Sequence, residues 1–498
     1  MSSSDAFNQL ISVHCARLYN LCSFILDKSN KDIVLNRRFL GNLNLEATWM
    51  EETLDSSGAR HSEQWFPFRE GVSAIKLFSS VAYDLNHVIR SFPYYNLIKS
   101  ENEFSNNAIS VLDEIYSAII NASEYLVKKA RKCGLHSEAS PVKREHFVDL
   151  DATNMLENDR KLRHIENPGK TLIYLATEFI NLKAEMNLLD RRSALKKNEF
   201  KKFIPDTVSE EKLRLILVRY HNLQSLYDTY LSESDIENAD HRLRSLRGHI
   251  SFIFHMLKSA TEFSHYYERH ILPRQNSIFF KTLLPIEEDR FLEITIDFFL
   301  KYFEVYFNGA KELCFDVIES YAEICERDIK IPEYRGFHVR PSSLVSKIVN
   351  YYGGRVKMIV NGIEYDPSSP LELFRVNEEI NAQKRVKLFE IIHSQGHKIT
   401  DVNELLKKLS KKGHVIIYKN PLENIPNKEN LSDQEHLKNT IAYLLASGQI
   451  DIKMNLTVKF VGDIRTVGDI EILSQNGYGE DKYGNNITLP KKLNYLKR

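Results

Sequence analysis

The chain has 498 residues, 43% of them hydrophobic and 27% charged, which is long for one core and ordinary for a folded protein of two or three domains. Lysine plus arginine and aspartate plus glutamate balance at 67 each, so the positive footprint of a general nucleic-acid binder is missing. The five cysteines, Cys15, Cys22, Cys133, Cys314 and Cys325, are scattered and lack close CxxC pairs; no zinc site is expected, and a reduced, cytoplasmic compartment fits.

The opening Met-Ser-Ser-Ser-Asp shows no basic stretch followed by an apolar core, so no secretory signal is expected. The most apolar runs, at 171–180 and 291–307, are too short or too interrupted by charge to span a bilayer. Residues 1–325 have mainly helical periodicity and are predicted to form an all-helical domain. Segment 6–25 places Leu10, His14, Leu18 and Leu21 on one face, and segment 70–89 repeats the pattern through Val72, Ile75, Val81, Leu85 and Val88. Further helices are predicted at about 103–132, 170–192, 209–231, 235–270 and 287–325. Thr207-Val208-Ser209-Glu210 reads as a capping box. In the last helix Phe291, Ile294, Phe298, Phe299, Tyr302, Phe303 and Tyr306 go nearly round the axis, which predicts a central position.

Several motifs in this region imitate catalytic ones. Asn167-Pro168-Gly169-Lys170-Thr171 has His164 where a P-loop needs glycine, so it reads as a helix start. Asp149-Leu150-Asp151-Ala152-Thr153 resembles a phosphatase nucleophile motif but lacks the apolar strand before it, and is read as an acidic loop or cap. Glu262-x-x-His265 has di-iron spacing without the second pair in the same domain; the other such pair, Glu390-x-x-His393, lies beyond it. No cofactor or metal is expected.

Beyond Cys325 the texture changes. A short alternating strand at 328–332 precedes Arg335-Gly336-Phe337-His338-Val339-Arg340-Pro341-Ser342-Ser343. Here a histidine stands on a glycine-preceded turn, next to an arginine and a proline suited to the first turn of a helix. An imidazole is a nucleophile near neutral pH, and a helix start with an arginine holds phosphate oxygens. Tyr351-Tyr352-Gly353-Gly354 closes that helix. Asn361-Gly362 between two β-prone runs marks a hairpin, and Asp366-Pro367-Ser368-Ser369-Pro370 leads into a second helix.

Gly336-Phe337-His338-Val339-Arg340-Pro341 resembles the Gly-Leu-His-x-Arg-Pro signature of the histidine-containing phosphocarrier (HPr) family of the bacterial sugar phosphotransferase system. The hairpin turn and Ser369, at the family's regulatory serine, fall in place without a gap. The resemblance covers about residues 327–375. It implies an open-faced β-sandwich with His338 as phosphoacceptor, Arg340 as its charge partner, and the backbone of Val339 and Arg340 stabilising the phosphate. It also implies an Enzyme I-like phosphoryl donor and a phosphotransferase-system acceptor or regulated protein as partners. Ser369 is a candidate regulatory phosphosite, although the following Pro370 departs from the family's helix start.

The family's last strand and helix do not follow at once. Segments 390–397 and 401–412, a strand at 414–418, a polar loop at 419–432, a helix at about 433–446 and an alternating run at 450–461 come first. Either an insertion at about 380–450 splits the small domain, or an extra α/β piece follows it. The predicted fold class is therefore multidomain α plus α/β: an all-helical domain at 1–325, an HPr-like domain at 326–475 and a turn-rich C-terminal arm at 476–498. The expected function is phosphotransfer or regulation through a phosphohistidine, with a non-catalytic docking protein as the alternative. Neither nucleic acid nor membrane insertion is expected.

Overall fold

The computed structural model describes residues 3–27, 36–98, 101–135, 142–147, 164–185, 192–273, 285–394, 401–418, 422 and 432–497. It is a large helical region with a small antiparallel sheet, divided into two compact units. One unit comprises residues 1–171 and 181–314; the other comprises 172–180 and 315–498. The division thus falls before residue 325, and the C-terminal unit also takes the middle of the helix Pro168–Glu185. Arg465 helps explain this, since its guanidinium donates to the Thr177 hydroxyl at 3.2 Å.

The N-terminal unit is built on the helices Ser3–Leu26, Arg37–Ser56, Phe66–Ser91, Glu101–Lys132, Glu210–Tyr230 and His241–Tyr266. The helix Arg37–Ser56 escapes the periodicity reading; the Asn36 side chain caps it, accepting from the Arg38 amide at 2.7 Å. In Ser3–Leu26 the buried stripe is Ile11, Cys15, Leu18, Leu21, Cys22 and Ile25, which keeps Leu18 and Leu21 of the predicted face, while Leu10 is 47% exposed. The cap before Glu210 is Ser209, which accepts from the Lys212 amide, rather than Thr207. Thr207 closes the preceding turn, and the Glu210 amide donates to Glu268 instead of completing a box.

From Glu288 to Tyr321 the chain is helical throughout, with a wider-turned stretch at Ile294–Leu300. Phe291, Ile294, Phe298, Phe299, Tyr302, Phe303 and Tyr306 are all buried. Phe263 stacks on Phe291 at 4.4 Å and meets Phe299 edge-on at 5.2 Å, each pair adding about 0.5–1.5 kcal/mol beyond its buried area. The helix stops at Tyr321, four residues earlier than predicted, because Ile324–Lys330 is already strand β1.

In the C-terminal unit β1 leads to the helix Val339–Tyr352, then strands β2 (Lys357–Val360) and β3 (Ile363–Tyr365), then the helix Pro370–Ser394. Gly353, at φ +67°, ends the first helix; a side chain there would run into Ile180 and Phe315. Asn361 and Gly362 both have positive φ, as the tight β2–β3 hairpin requires. Strands β4 (Val415–Ile417) and β5 (Ile450–Ile452) pair separately. Then β6 (Thr457–Asp463) enters between β1 and β2, antiparallel to both, giving the order β1-β6-β2-β3. The helix Ile464–Gln475 follows.

One sheet face, through Ile329, Met358, Val458 and Phe460, is covered by Val345, Ile348, Leu373, Val376, Val467 and Ile470 from three helices. The other presents Glu326, Asp328, Lys357, Glu364 and Lys459 to water. Residues 388–452 bury a second cluster of their own, including Leu388, Leu406, Leu409, Ile441 and Ile450. The C-terminal arm docks on this unit through its leucines. Leu489, Leu493 and Leu496 join the first core, and Asp469, fully buried, accepts from the Tyr352 and Tyr495 hydroxyls at 2.7 and 2.8 Å.

Candidate functional site

The site begins where β1 ends. Arg335 (φ +54°) and Gly336 (φ +61°) are successive left-handed residues that turn the chain back, so that His338 becomes the residue capping Val339–Tyr352. Asn377, from the helix Pro370–Ser394, holds both sides of this turn: its carbonyl accepts from the Phe337 amide at 2.9 Å and its NH2 donates to the Arg335 carbonyl at 3.1 Å. Gly336 has no space for a side chain against Asn377. Phe337 drops into the core and meets Tyr478 edge-on, while the Ser342 hydroxyl donates to the Phe337 carbonyl at 2.8 Å.

The segment 384–452 braces the turn from one side. The Arg335 amide donates to Asp451 at 3.1 Å, and Asp451 pairs with Lys384 at 2.8 Å. Tyr334 packs edge-on against both the His338 ring, at 5.3 Å, and Tyr418, at 4.9 Å. Burial pushes the Tyr418 hydroxyl up, and the nearby Asp451 carboxylate adds to this.

The C-terminal arm closes the other side. Its Glu480 carboxylate lies 3.1 Å from His338 Nε2, and its Gly479 carbonyl accepts from Arg340 Nε at 3.2 Å. His338 Nδ1 is 3.1 Å from the Gly336 carbonyl. Both ring nitrogens therefore face acceptors, which the doubly protonated ring satisfies and the neutral ring satisfies only once. The His338 side chain is 20% exposed. Alongside lies a cleft of about 490 Å³ lined by Lys330, Tyr334, Tyr478, Glu480, Asp481 and Lys482.

Chemically, this is an imidazole at a helix start. The first-turn N–H groups of Val339 and Arg340 have no intrahelical acceptor by construction, and the positive end of the helix dipole favours an anion there. Val339 is 68% exposed. Ser369 stands at the head of a different helix, its amide donating to the Asp366 carbonyl and its carbonyl accepting from the Leu373 amide. Asn377, Asp451, Tyr334 and Glu480 escaped the sequence reading. They belong to a helix interior, a short strand, a loop and a glycine-rich tail, and nothing local marks them.

The other candidates come apart. Pro168, Gly169, Lys170 and Thr171 form the first turn of a helix. Glu262 accepts from Ser80 at 3.1 Å, whereas His265 pairs with Glu210 at 2.9 Å, so the two serve different contacts. The Asp149–Thr153 motif lies outside the described residues. Burial pushes the Cys15 and Cys22 thiols up to about 12, which makes them poor nucleophiles.

Among the described residues, no group of three or more His, Cys, Asp or Glu side chains is placed to hold a metal ion, and no helix is long and apolar enough to cross a membrane. Comparison with protein-family models, with curated proteins and with solved structures finds no match to this chain.

Proposed function

We propose that this is a phosphotransfer or regulatory protein. Its C-terminal unit is HPr-like and accepts a phosphoryl group on His338, and its helical unit reads or relays that state. The observation that carries the reading is the seat of His338: it is the N-cap residue of the helix Val339–Tyr352, whose first turn also carries Arg340. The surrounding order of elements supports it. Strand, helix, hairpin and helix come first, and after residues 388–452 a further strand enters the same sheet and is followed by a further helix.

The chemistry is that of a phosphocarrier, passing one group through a phosphohistidine, rather than of an enzyme turning over a small substrate. The donor is an Enzyme I-like protein, and the acceptor is a phosphotransferase-system component or a regulated protein. Phosphate adds up to about two negative charges and strong acceptor oxygens, which alters what docks on this face.

A second reading, a docking protein with the same fold and no transfer, draws on one observation: the His338 ring is 20% exposed and both its nitrogens are engaged. The test is incubation with phosphoenolpyruvate and Enzyme I, followed by a search for acid-labile, alkali-stable label. Label that is lost in His338→Ala supports transfer. A wild type that never labels, or a variant that labels equally, leaves the docking reading.

A further inference from the structure

Two neighbouring residues of the C-terminal arm occupy two of the devices that would hold a phosphoryl group at this site. Glu480 stands against His338 Nε2, and the Gly479 carbonyl takes Arg340 Nε. The third contact, from Nδ1 to the Gly336 carbonyl, belongs to the turn itself. With an acceptor oxygen against each ring nitrogen, neither nitrogen is open to phosphorus. A carboxylate at the same edge also repels an incoming phosphoryl anion.

The contact lies between two anchors of the arm, with Glu480 itself 8% exposed. On one side Tyr478 is buried and its hydroxyl donates to the Lys330 carbonyl at 2.7 Å. On the other, Leu489, Leu493 and Leu496 are in the core. Between them Lys482, Tyr483 and residues 485–488 are exposed, and Gly479 and Gly484 have positive φ. The loop is closed on itself by Asp481, which accepts from the Tyr483 and Asn485 amides at 2.8 and 2.9 Å.

We infer that residues 479–487 are an autoinhibitory cover over the His338 site, and that Glu480 is the internal competitor for the phosphoryl group. The inference rests on the phosphotransfer reading above. With the cover drawn back by the docking donor, the Glu480 carboxylate leaves the Nε2 edge of the ring and a ring nitrogen with its lone pair is open to the donor. That nitrogen then attacks the phosphorus of the donor's phosphohistidine. The N–P bond to the donor ring breaks, the donor ring keeps the electron pair, and the new N–P bond forms on His338. Arg340, released from Gly479, turns to the phosphoryl oxygens.

Two readouts on full-length protein test this, with wild type, Glu480→Gln and Glu480→Ala compared at one pH. The first is carbethoxylation of His338 by diethyl pyrocarbonate, followed by peptide mass spectrometry, which needs no phosphotransfer. The second is labelling by phosphoramidate, where ammonia leaves as the N–P bond to His338 forms. Removal of one charge-assisted contact is expected to speed both reactions by about tenfold.

Unchanged or slower carbethoxylation in both variants overturns the cover. Faster carbethoxylation with slower labelling overturns it too, and makes Glu480 a positioning residue that activates the ring. Faster carbethoxylation with no phosphoryl label in any protein supports the cover and overturns the phosphotransfer reading instead. A circular-dichroism spectrum that matches wild type in either variant keeps the comparison valid, since Glu480→Gln preserves the shape of the side chain.

Discussion

Lys384 and Asp451 form an ion pair at 2.8 Å with each side chain only 3% exposed. The lysine comes from the helix Pro370–Ser394 and the aspartate from β5, so the pair ties residues 388–452 to the turn that carries His338. Lys384→Met strands a buried carboxylate and is expected to destabilise the protein by about 3–5 kcal/mol. Lys384→Met combined with Asp451→Asn is expected to recover most of that, because Asn can still accept from the Arg335 amide. Denaturant unfolding of wild type, Lys384→Met, Asp451→Asn and the double variant, analysed as a double-mutant cycle, checks this.

Asn377 is the other support of the turn. Its replacement by alanine leaves the Phe337 amide and the Arg335 carbonyl without their partner, at about 1–3 kcal/mol for each group. Asn377→Ala is expected to lower stability and, under the phosphotransfer reading, to slow labelling of His338 by Enzyme I. Asn377→Asp should keep the contact to Phe337 and lose the one to Arg335, giving an intermediate loss in thermal unfolding.

The helix Ser3–Leu26 offers a test of register. Leu18 is fully buried and Leu10 is 47% exposed. Leu18→Ala is expected to cost about 2–5 kcal/mol, and Leu10→Ala to stay within about 0.5 kcal/mol. Equal losses on chemical denaturation would return the buried stripe to the face predicted from periodicity.

Glu262 gives a pH dependence of known sign. Burial pushes its carboxyl up to about 7 from an ordinary 4.5; the Asp84 carboxylate adds to this, while Lys258 and the Ser80 hydroxyl work against it. The folded protein therefore holds this proton more tightly than the unfolded chain. Its stabilising contribution is complete below pH 4.5 and is lost as pH rises through about 7. Glu262→Gln, which stays neutral, should gain stability relative to wild type as pH rises across that window. A gap between the two proteins that stays constant with pH in urea titrations would contradict the assignment.

What could be read from the sequence was local. The Asn361-Gly362 hairpin, the Gly353 cap and the apolar girdle of Phe291–Tyr306 each follow from residues close together, and each stands in the structure. At the start of Ser3–Leu26 the stripe runs through Ile11 rather than Leu10, because the two are equally apolar and only packing chooses between them. The start of β1 was missed because its partner is β6, far along the chain. The candidate site divides in the same way. His338 and Arg340 announce themselves through glycine, proline and spacing. Glu480 stands in a tail whose residues describe a turn, and only the folded unit brings its carboxylate to the ring.

The position of β6 has a consequence for how this protein is made. The strand that joins β1 to the β2–β3 hairpin is the last of the sheet to leave the ribosome. At about 5–20 residues per second, β1 waits on the order of ten seconds for its partner. Through that interval the hairpin is marginal by itself and its β2 edge is a template for any passing strand. Residues 388–452, with a core of their own, emerge during the wait. A nascent chain stalled before residue 457 would therefore be a client for chaperones, and slow codons just upstream of β6 would lower the yield of native protein.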